Sequence, residues 1–476
     1  MWGLYRRRFD SQARFALGRS PVTIRRLLVP TPPATVPPAP LTGDTAWPDG
    51  ITPTPEYAAA LDYIREADGH LFVTGRAGTG KSTLLRALKS VIDREMVIVA
   101  PTGLAAVNVG GQTIHSFFGL PPRLLRSDDI RRSRNGQVMR KIGFLVIDEV
   151  SMVRSDLMWA IDQSLRVNRG RPREPFGGVR LIMFGDLHQL PPVVQEAEVA
   201  QHLEQEFGGP FFFSCPALGE MAGTARLELT QVFRQSDERL ISVLNRIRDG
   251  EADEDDLIDL NARVSPIRTL GEGDRFVILT PTNAAAYRIN AAYLDALPSS
   301  ARTYEAGITG DFTTASHPTD SALTLKTGAK VILLRNDPDR RWVNGTIARI
   351  SRLEEKKVFV EVAGREHELE PASWEQRRYA YDKDQEKVVG TVAGTFKQYP
   401  VRLAWALTIH KAQGLTLDSV YIDLGRGTFA HGQAYVAFSR CRSLEGLALA
   451  RKLEPRDILF DPAAMGYRDR FPSLQP

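Results

Sequence analysis

The sequence predicts an α/β protein with parallel sheets, and three features predict it. Short apolar runs, HLFVTG (70–75), MVIVAPTG (96–103), FLVIDE (144–149) and VRLIMFGD (179–186), alternate with helical stretches. Runs apolar at nearly every position suit strands buried on both faces, as in a parallel sheet covered by helices. The pattern recurs downstream, where FVILTPTN (276–283) precedes the helical AAAYRINAAYLDAL and SVYIDLG (419–425) precedes a helix through QAYVAFSR. Third, the glycine-rich GRAGTGKS sits between the first strand and the helical TLLRALKSVI.

From the N-terminus, residues 1–48 are expected to lie outside the fold. Residues 1–42 set seven arginines against Asp10 and lead through the proline-rich VPTPPATVPPAP, a composition that keeps a chain extended and solvated. One reading is a disordered basic arm on a cytoplasmic, nucleoid-associated bacterial protein. The other is a mitochondrial transit peptide, since the leader is Arg-rich and poor in acid. The arm outweighs the chain's net charge of +4, so bulk charge is no argument that the folded body binds nucleic acid. At 476 residues the chain is too long for one core. It has no apolar run long enough for a membrane-spanning helix, so membrane insertion is not expected. Two cysteines, Cys215 and Cys441, make neither a disulfide framework nor a zinc site by themselves, which fits a reducing compartment.

GRAGTGKS fits G-x-x-x-x-G-K-[ST]. Gly75, Gly78 and Gly80, with Thr79, let successive backbone N–H groups turn toward phosphate oxygens at a helix N-terminus. Lys81 then reaches the β- and γ-phosphates, and Ser82, followed by Thr83, reaches a magnesium ion. FLVIDE ends in Asp148 and Glu149, where a buried unpaired carboxylate would be costly and a cation partner is expected. Asp148 fits a magnesium-binding aspartate and Glu149 a residue that polarises the attacking water. A helix cap explains one of them but not the pair. After VRLIMFGD, Pro191 and Pro192 cannot extend a ladder, so the strand ends near Gly185. Asp186 and Gln189 are left at a strand tip, where open α/β sheets bind ligands. Residues of about 325–400 run in short β-rich pieces (AKVILLRN, TIARISRL, KKVFVEVAG, KVVGTVAG) separated by turn residues, which predicts a small barrel inserted into the second α/β unit.

Seven blocks then occur in order: GRAGTGKST, APTGLAAVNVGGQTIHSFFG, FLVIDEVSM, PFGGVRLIMFGDLHQLPPV, LTQVFRQSD, LTIHKAQGLTLDSVYIDL and QAYVAFSRCRSLEGL. They resemble the motifs of superfamily 1B DNA helicases, and the fourth resembles the Pif-type (petite integration frequency) family, relatives of RecD. The similarity spans residues of about 50–465. It implies a first RecA-like domain over 49–230 with a small basic wedge at about 120–141, a second over 231–324 and 401–465, a Src-homology-type barrel over 325–400, and a tail at 466–476. ATP with Mg2+ is the implied cofactor pair, with Lys81, Asp148, Glu149, Gln189, Arg234 and Arg440 as the catalytic set and Ser82 and Asp148 on the metal. Gln189 senses the γ-phosphate and Asp186 orients the tip in this reading. The arginines offset charge on the transferred phosphoryl group once the two domains close.

The resemblance also implies a nucleic-acid track of Thr102, Asn108, His115, Ser116, Phe117, His410, Lys411 and Gln413. There the small polar groups contact phosphates and the two rings His115 and Phe117 stack on bases. Relatives carry an adenine-reading Gln upstream of the loop, and Tyr57 stands near its place, as a base-stacking residue or as packing for the first helix. The implied activity is 5′-to-3′ translocation on single-stranded DNA with unwinding of duplex, forked or structured DNA by a monomeric motor, in replication, repair, recombination or telomere-type maintenance. Quadruplexes and RNA–DNA hybrids stay open as substrates. The alternatives are a translocase or RNA helicase with the same motor, or a single-strand-binding ATPase clamp.

Overall fold

The computed structural model describes Trp47 and residues 51–475, apart from 93–94, 195, 221–223, 236, 383, 426, 429 and 468–469. The expected basic arm, except Trp47, lies outside the described residues. Six strands form the first sheet: β1 (Leu71–Gly75), β2 (Met96–Ala100), β3 (Gln112–Thr113), β4 (Phe144–Ile147), β5 (Arg180–Phe184) and β6 (Ala225–Leu229). Their order is β3-β2-β4-β5-β1-β6, and every neighbouring pair is parallel. β1 and β4 are buried throughout and β5 all but its first residue, as the unbroken apolar runs predict. Parallel strands put their carboxyl ends on one edge, and β4, β5 and β1 are adjacent, so Asp148, Asp186 and the glycine loop emerge side by side.

The second sheet is also parallel, in the order Ala406–Thr408, Val277–Thr280, Val420–Ile422, Leu447–Leu449. The amphipathic helix Glu238–Asp249 buries Leu240, Val243, Leu244 and Ile247 in its core. Ala77 of the glycine loop and Leu190 after β5 join that same core. The loop edges of the two sheets therefore meet over the expected phosphate site.

Between two strands of the second sheet lies a β region longer than the expected 325–400, with antiparallel strands from Arg302 to Leu403. A five-stranded sheet runs Arg365–Leu369, Val358–Val362, Ile347–Leu353, Lys330–Leu333, Val401–Leu403, and a separate sheet joins the long hairpin Ala372–Asp382/Lys387–Gln398 to Gly307–Gly310. The early strands gave no alternating signal because Gly307–Gly310 is exposed at every position. The hairpin reaches the first sheet, where the Tyr379 hydroxyl accepts from the Ile98 N–H at 3.1 Å and the Glu95 carboxylate from Val388 N–H at 2.8 Å.

In the basic stretch 123–141 a single 3-10 turn, Ser127–Asp129, precedes a short helix, Gly136–Lys141, and Arg123 grips Asp129 at 2.6 and 2.9 Å. One expectation is corrected: the tail expected at 466–476 is anchored to the first unit through its described residues. Tyr467 is 2% exposed among Phe72, Phe212, Phe213 and Phe471, and Pro472–Leu474 runs beside β6, with Arg226 N–H to Pro472 O at 2.8 Å and Leu474 N–H to Arg226 O at 2.7 Å. Aromatic burial and backbone pairing outweigh the entropy that frees most chain ends.

Candidate active site and nucleic-acid track

β1 ends at Gly75, and the loop turns through Gly78 and Gly80, both at φ 85°, into the helix Lys81–Val91. The turn needs glycine twice over. Side chains rarely adopt that φ, and a Cβ on Gly78 would lie 2.5 Å from the Arg234 Cβ, one on Gly80 2.2 Å from the Tyr57 hydroxyl. The helix has no side-chain cap, so no side chain competes with an anion for the N–H groups at its start. Lys81 bends back over the loop and donates to Gly75 O at 2.6 Å and Arg76 O at 3.0 Å. Thr79 is buried and its hydroxyl donates to Arg76 O at 2.9 Å, so it braces the loop from within. Ser82 is exposed and Thr83 half-buried at the helix start.

Asp148 and Glu149 leave β4 beneath the loop. Burial, reinforced by the Glu149 charge, pushes the Asp148 carboxyl up to about 7. Burial also raises Glu149, against the opposing pull of Lys81. Glu149 holds a left-handed backbone, φ 50° and ψ 42°, of a kind that costs roughly 1–3 kcal/mol and gathers at functional sites. A buried carboxyl raised by burial and a neighbouring like charge suits a hard cation whose other ligands are phosphate and water, and Ser82 leaves an exposed hydroxyl at the helix start. Among the described residues no cluster of three His, Cys, Asp or Glu could hold a metal ion.

At the β5 tip, burial pushes the Asp186 carboxyl up, but Arg248 and Lys81, helped by His188 and Gln189, outweigh it and hold it low. Asp186 accepts the His188 N–H at 3.2 Å and the Gln189 side-chain N–H at 3.1 Å. The other end of the Gln189 amide accepts from the Gln413 side chain at 3.1 Å, which joins the β5 tip to the second sheet's TIHKAQG loop.

The second unit supplies the arginines. Arg440 is 1% exposed and donates to Val436 O at 2.8 Å, Ser439 Oγ at 2.6 Å and Ala412 O at 3.4 Å. Burial and the nearby Arg234 hold its guanidinium well below the usual range. Burial lowers Arg234 to about 10. One of its terminal nitrogens donates to Gly414 O at 3.0 Å, while the other, Nη1, is buried without a hydrogen-bond partner. Two residues escaped sequence reasoning. The Tyr435 hydroxyl accepts the loop's Ala77 N–H at 3.1 Å, and Arg248 meets Asp186 at 3.6 Å. For Arg248 a signal existed, because position 248 falls four residues after Leu244 on the buried stripe of its helix.

The structure corrects two site expectations. Tyr57 is 3% exposed, and its hydroxyl donates to Gly80 O at 2.9 Å. It supports the loop from below and has no open face for a base. Phe117 is fully buried, edge-on to Phe118 and Tyr379, so it is core and not a stacking platform. The rest of the expected track is accessible. Thr102, Asn108, Ser116 and Lys411 are exposed, and His115, His410 and Gln413 are half-buried. Thr102 caps the helix Gly103–Val109 through Ala105 N–H at 3.3 Å. Ser116 accepts from Gln112 at 2.8 Å, and His115 Nδ1 lies 3.3 Å from Leu120 O. No helix among the described residues is long and apolar enough to cross a membrane, and both cysteines are buried and unbridged.

A glycine loop cradling a helix start, with strand-tip carboxylates on one side and guanidinium groups arriving from a second parallel sheet, defines a P-loop nucleotide-binding protein. Comparison with known proteins is more specific. The PIF1-like helicase family matches residues 56–257. The "ATP-dependent DNA helicase Pif1" of Bdellovibrio bacteriovorus is 34% identical over 433 residues, 88% of this chain and 92% of that one; mammalian proteins of the same name are longer, with 63% of the human one covered. The chain belongs to the PIF1-like helicase family. Among solved structures it is similar to Bacteroides sp Pif1 in complex with ADP-AlF4, with a TM-score of 0.79 at 34% identity over 87% of this chain and 96% of that one. Against Bacteroides Pif1 bound to ssDNA the TM-score is 0.62, at 35% identity over 88% and 97%.

Proposed function

We propose that this chain is an ATP-dependent DNA helicase that moves 5′ to 3′ on single-stranded DNA and opens duplex or forked DNA. One observation carries the reading: Tyr435 and Gln413 fasten the second parallel unit directly onto the glycine loop and the β5 tip of the first. A nucleotide bound there would touch both units, so its hydrolysis changes how they sit and moves the strand they grip.

In this reading the loop N–H groups and Lys81 bind the β- and γ-phosphates, and Glu149 orients and deprotonates the attacking water. Its burial-raised carboxyl suits a base that must take up a proton. Gln189 contacts the γ-phosphate, while Arg234 and Arg440 offset charge on the transferred group. Ser82 and Asp148 would hold Mg2+, which supplies charge neutralisation at the phosphates. Thr102, Asn108, His115, Ser116, His410, Lys411 and Gln413 form the track for single-stranded DNA, and the basic stretch 123–141 works at the duplex junction. The two parallel sheets act as separate motor domains, the β region from Arg302 as an insertion in the second. The bacterial relative supports action on DNA in a bacterial cytoplasm.

Strand displacement with ATP and Mg2+ on 5′-tailed, 3′-tailed, forked, quadruplex and RNA–DNA substrates tests this. Opening only of 5′-tailed and forked DNA is expected. A preference for 3′ tails would overturn the polarity, equal opening of RNA duplexes would indicate an RNA helicase, and ATPase activity indifferent to single-stranded DNA would leave a clamp.

A further inference from the structure

The geometry points to Arg248 as a positioning residue that, from the second α/β unit, fixes the orientation of the Gln189 carboxamide through Asp186. Arg248 lies near the end of the helix Glu238–Asp249 and is 3% exposed. Its guanidinium sits between two carboxylates of the first unit, 3.6 Å from Asp186 Oδ1 and 3.4 Å from Glu228 Oε1 on β6. Asp186 is 1% exposed and presents its other oxygen, Oδ2, to the Gln189 Nε2 at 3.1 Å.

The chemistry of the amide gives the pair its use. An ionised carboxylate can only accept hydrogen bonds, so Gln189 must turn its NH2 toward Asp186 and its oxygen away. That oxygen is the atom facing Gln413. A protonated Asp186 could donate instead, and the carboxamide could then turn over, exchanging donor and acceptor on the side that meets Gln413 and the phosphate site. Burial favours the protonated form. The positive groups facing Asp186 are Arg248, Lys81 and His188, and Glu149, Tyr435 and Arg440 belong to the same cluster. Lys81 is the charge a triphosphate engages. Arg248 is the counter-charge that remains with Asp186 whatever occupies the loop, and it does so only while the two units keep this arrangement. The position of one unit is thereby transmitted to a single amide in the other.

This inference rests on the reading of Gln189 as the γ-phosphate contact. It is tested by measuring single-strand-stimulated ATP turnover, affinity for a fluorescent ATP analogue and thermal midpoint in Arg248→Gln, Arg248→Lys and the double variant Arg248→Gln/Asp186→Asn. Arg248→Gln should lower kcat by about 10²-fold, the scale of a misplaced catalytic contact, with nucleotide affinity unchanged. Arg248→Lys should keep most of the turnover, because the contact at 3.6 Å asks for charge more than for a planar fork. The double variant removes the stranded carboxylate, but the amide it puts at position 186 can donate as well as accept, so Gln189 stays free to turn over and kcat should remain as low as in Arg248→Gln.

Wild-type turnover in a folded Arg248→Gln chain overturns the proposal, as does loss of nucleotide affinity in step with rate. If that single variant fails to fold, the outcome rests on the other two: an inactive but folded Arg248→Lys, or a folded double variant with wild-type turnover, overturns it. A wild-type chain without DNA-stimulated ATPase activity would instead sink the functional reading itself.

Discussion

Replacing Asp148 with asparagine should stabilise the chain in buffer free of metal and nucleotide at pH 8, while abolishing hydrolysis. The fold lifts this carboxyl from 3.8 to about 7 through burial and the neighbouring Glu149. Between those values the folded chain keeps a proton that the unfolded chain has released. Stability from this group is therefore full below about pH 4 and is lost as pH rises to about 7, beyond which the loss is complete. A shift of about 3 units corresponds to ~4 kcal/mol, a ceiling because Glu149 titrates with Asp148 as a pair. Asparagine carries no charge at any pH, so the variant should match the wild type near pH 3.5 and melt several degrees higher at pH 8. Thermal melts across that range provide the measurement. Mg2+ with a non-hydrolysable ATP analogue should narrow the gap by stabilising the wild type more than the variant. A variant less stable than the wild type at pH 8 would mean that the carboxylate is already compensated within the fold, and the argument for a cation seat would fall with it.

Other substitutions separate chemistry from packing. Arg440→Ala should lower DNA-stimulated turnover by about 10³-fold, equivalent to ~4 kcal/mol, without loss of ATP affinity, and Arg440→Lys should stay impaired because it lacks the planar fork; proportional loss of binding and rate would make Arg440 a ground-state ligand. Phe117→Ala should destabilise the fold by about 3–5 kcal/mol, as for other buried phenylalanines, and leave the single-strand affinity of the folded fraction unchanged. Reduced affinity at wild-type stability would return Phe117 to the DNA track. Removing residues 1–48 should preserve DNA-stimulated ATPase activity but weaken DNA affinity and flatten its dependence on salt, since the arm's arginines would no longer neutralise phosphates. An unchanged slope in a salt titration would exclude that role.

The strands, the glycine loop and the strand-tip acids were determined by local sequence, because each rests on a short-range rule. Unbroken apolar runs made β1, β4 and β5, glycines at 78 and 80 permitted the positive φ of the loop, and Asp148, Glu149 and Asp186 directly follow buried strands. Family motifs added Gln189 and Arg440 as members of the same site. The tertiary structure decided what depends on residues distant in sequence. The resemblance put Phe117 on the DNA track as a stacking ring and left Tyr57 as a stacking ring or as packing, and only their contacts with Tyr379 and Gly80 made them core. Strands at 302–310 carry too little apolar alternation to be seen alone, and Tyr467 looked like part of a tail until Phe72 and Phe212 closed around it. Arg248 shows the limit most clearly: an arginine on a buried stripe must have a partner, but which carboxylate it meets is set by how two sheets far apart in the chain bring their loop edges together.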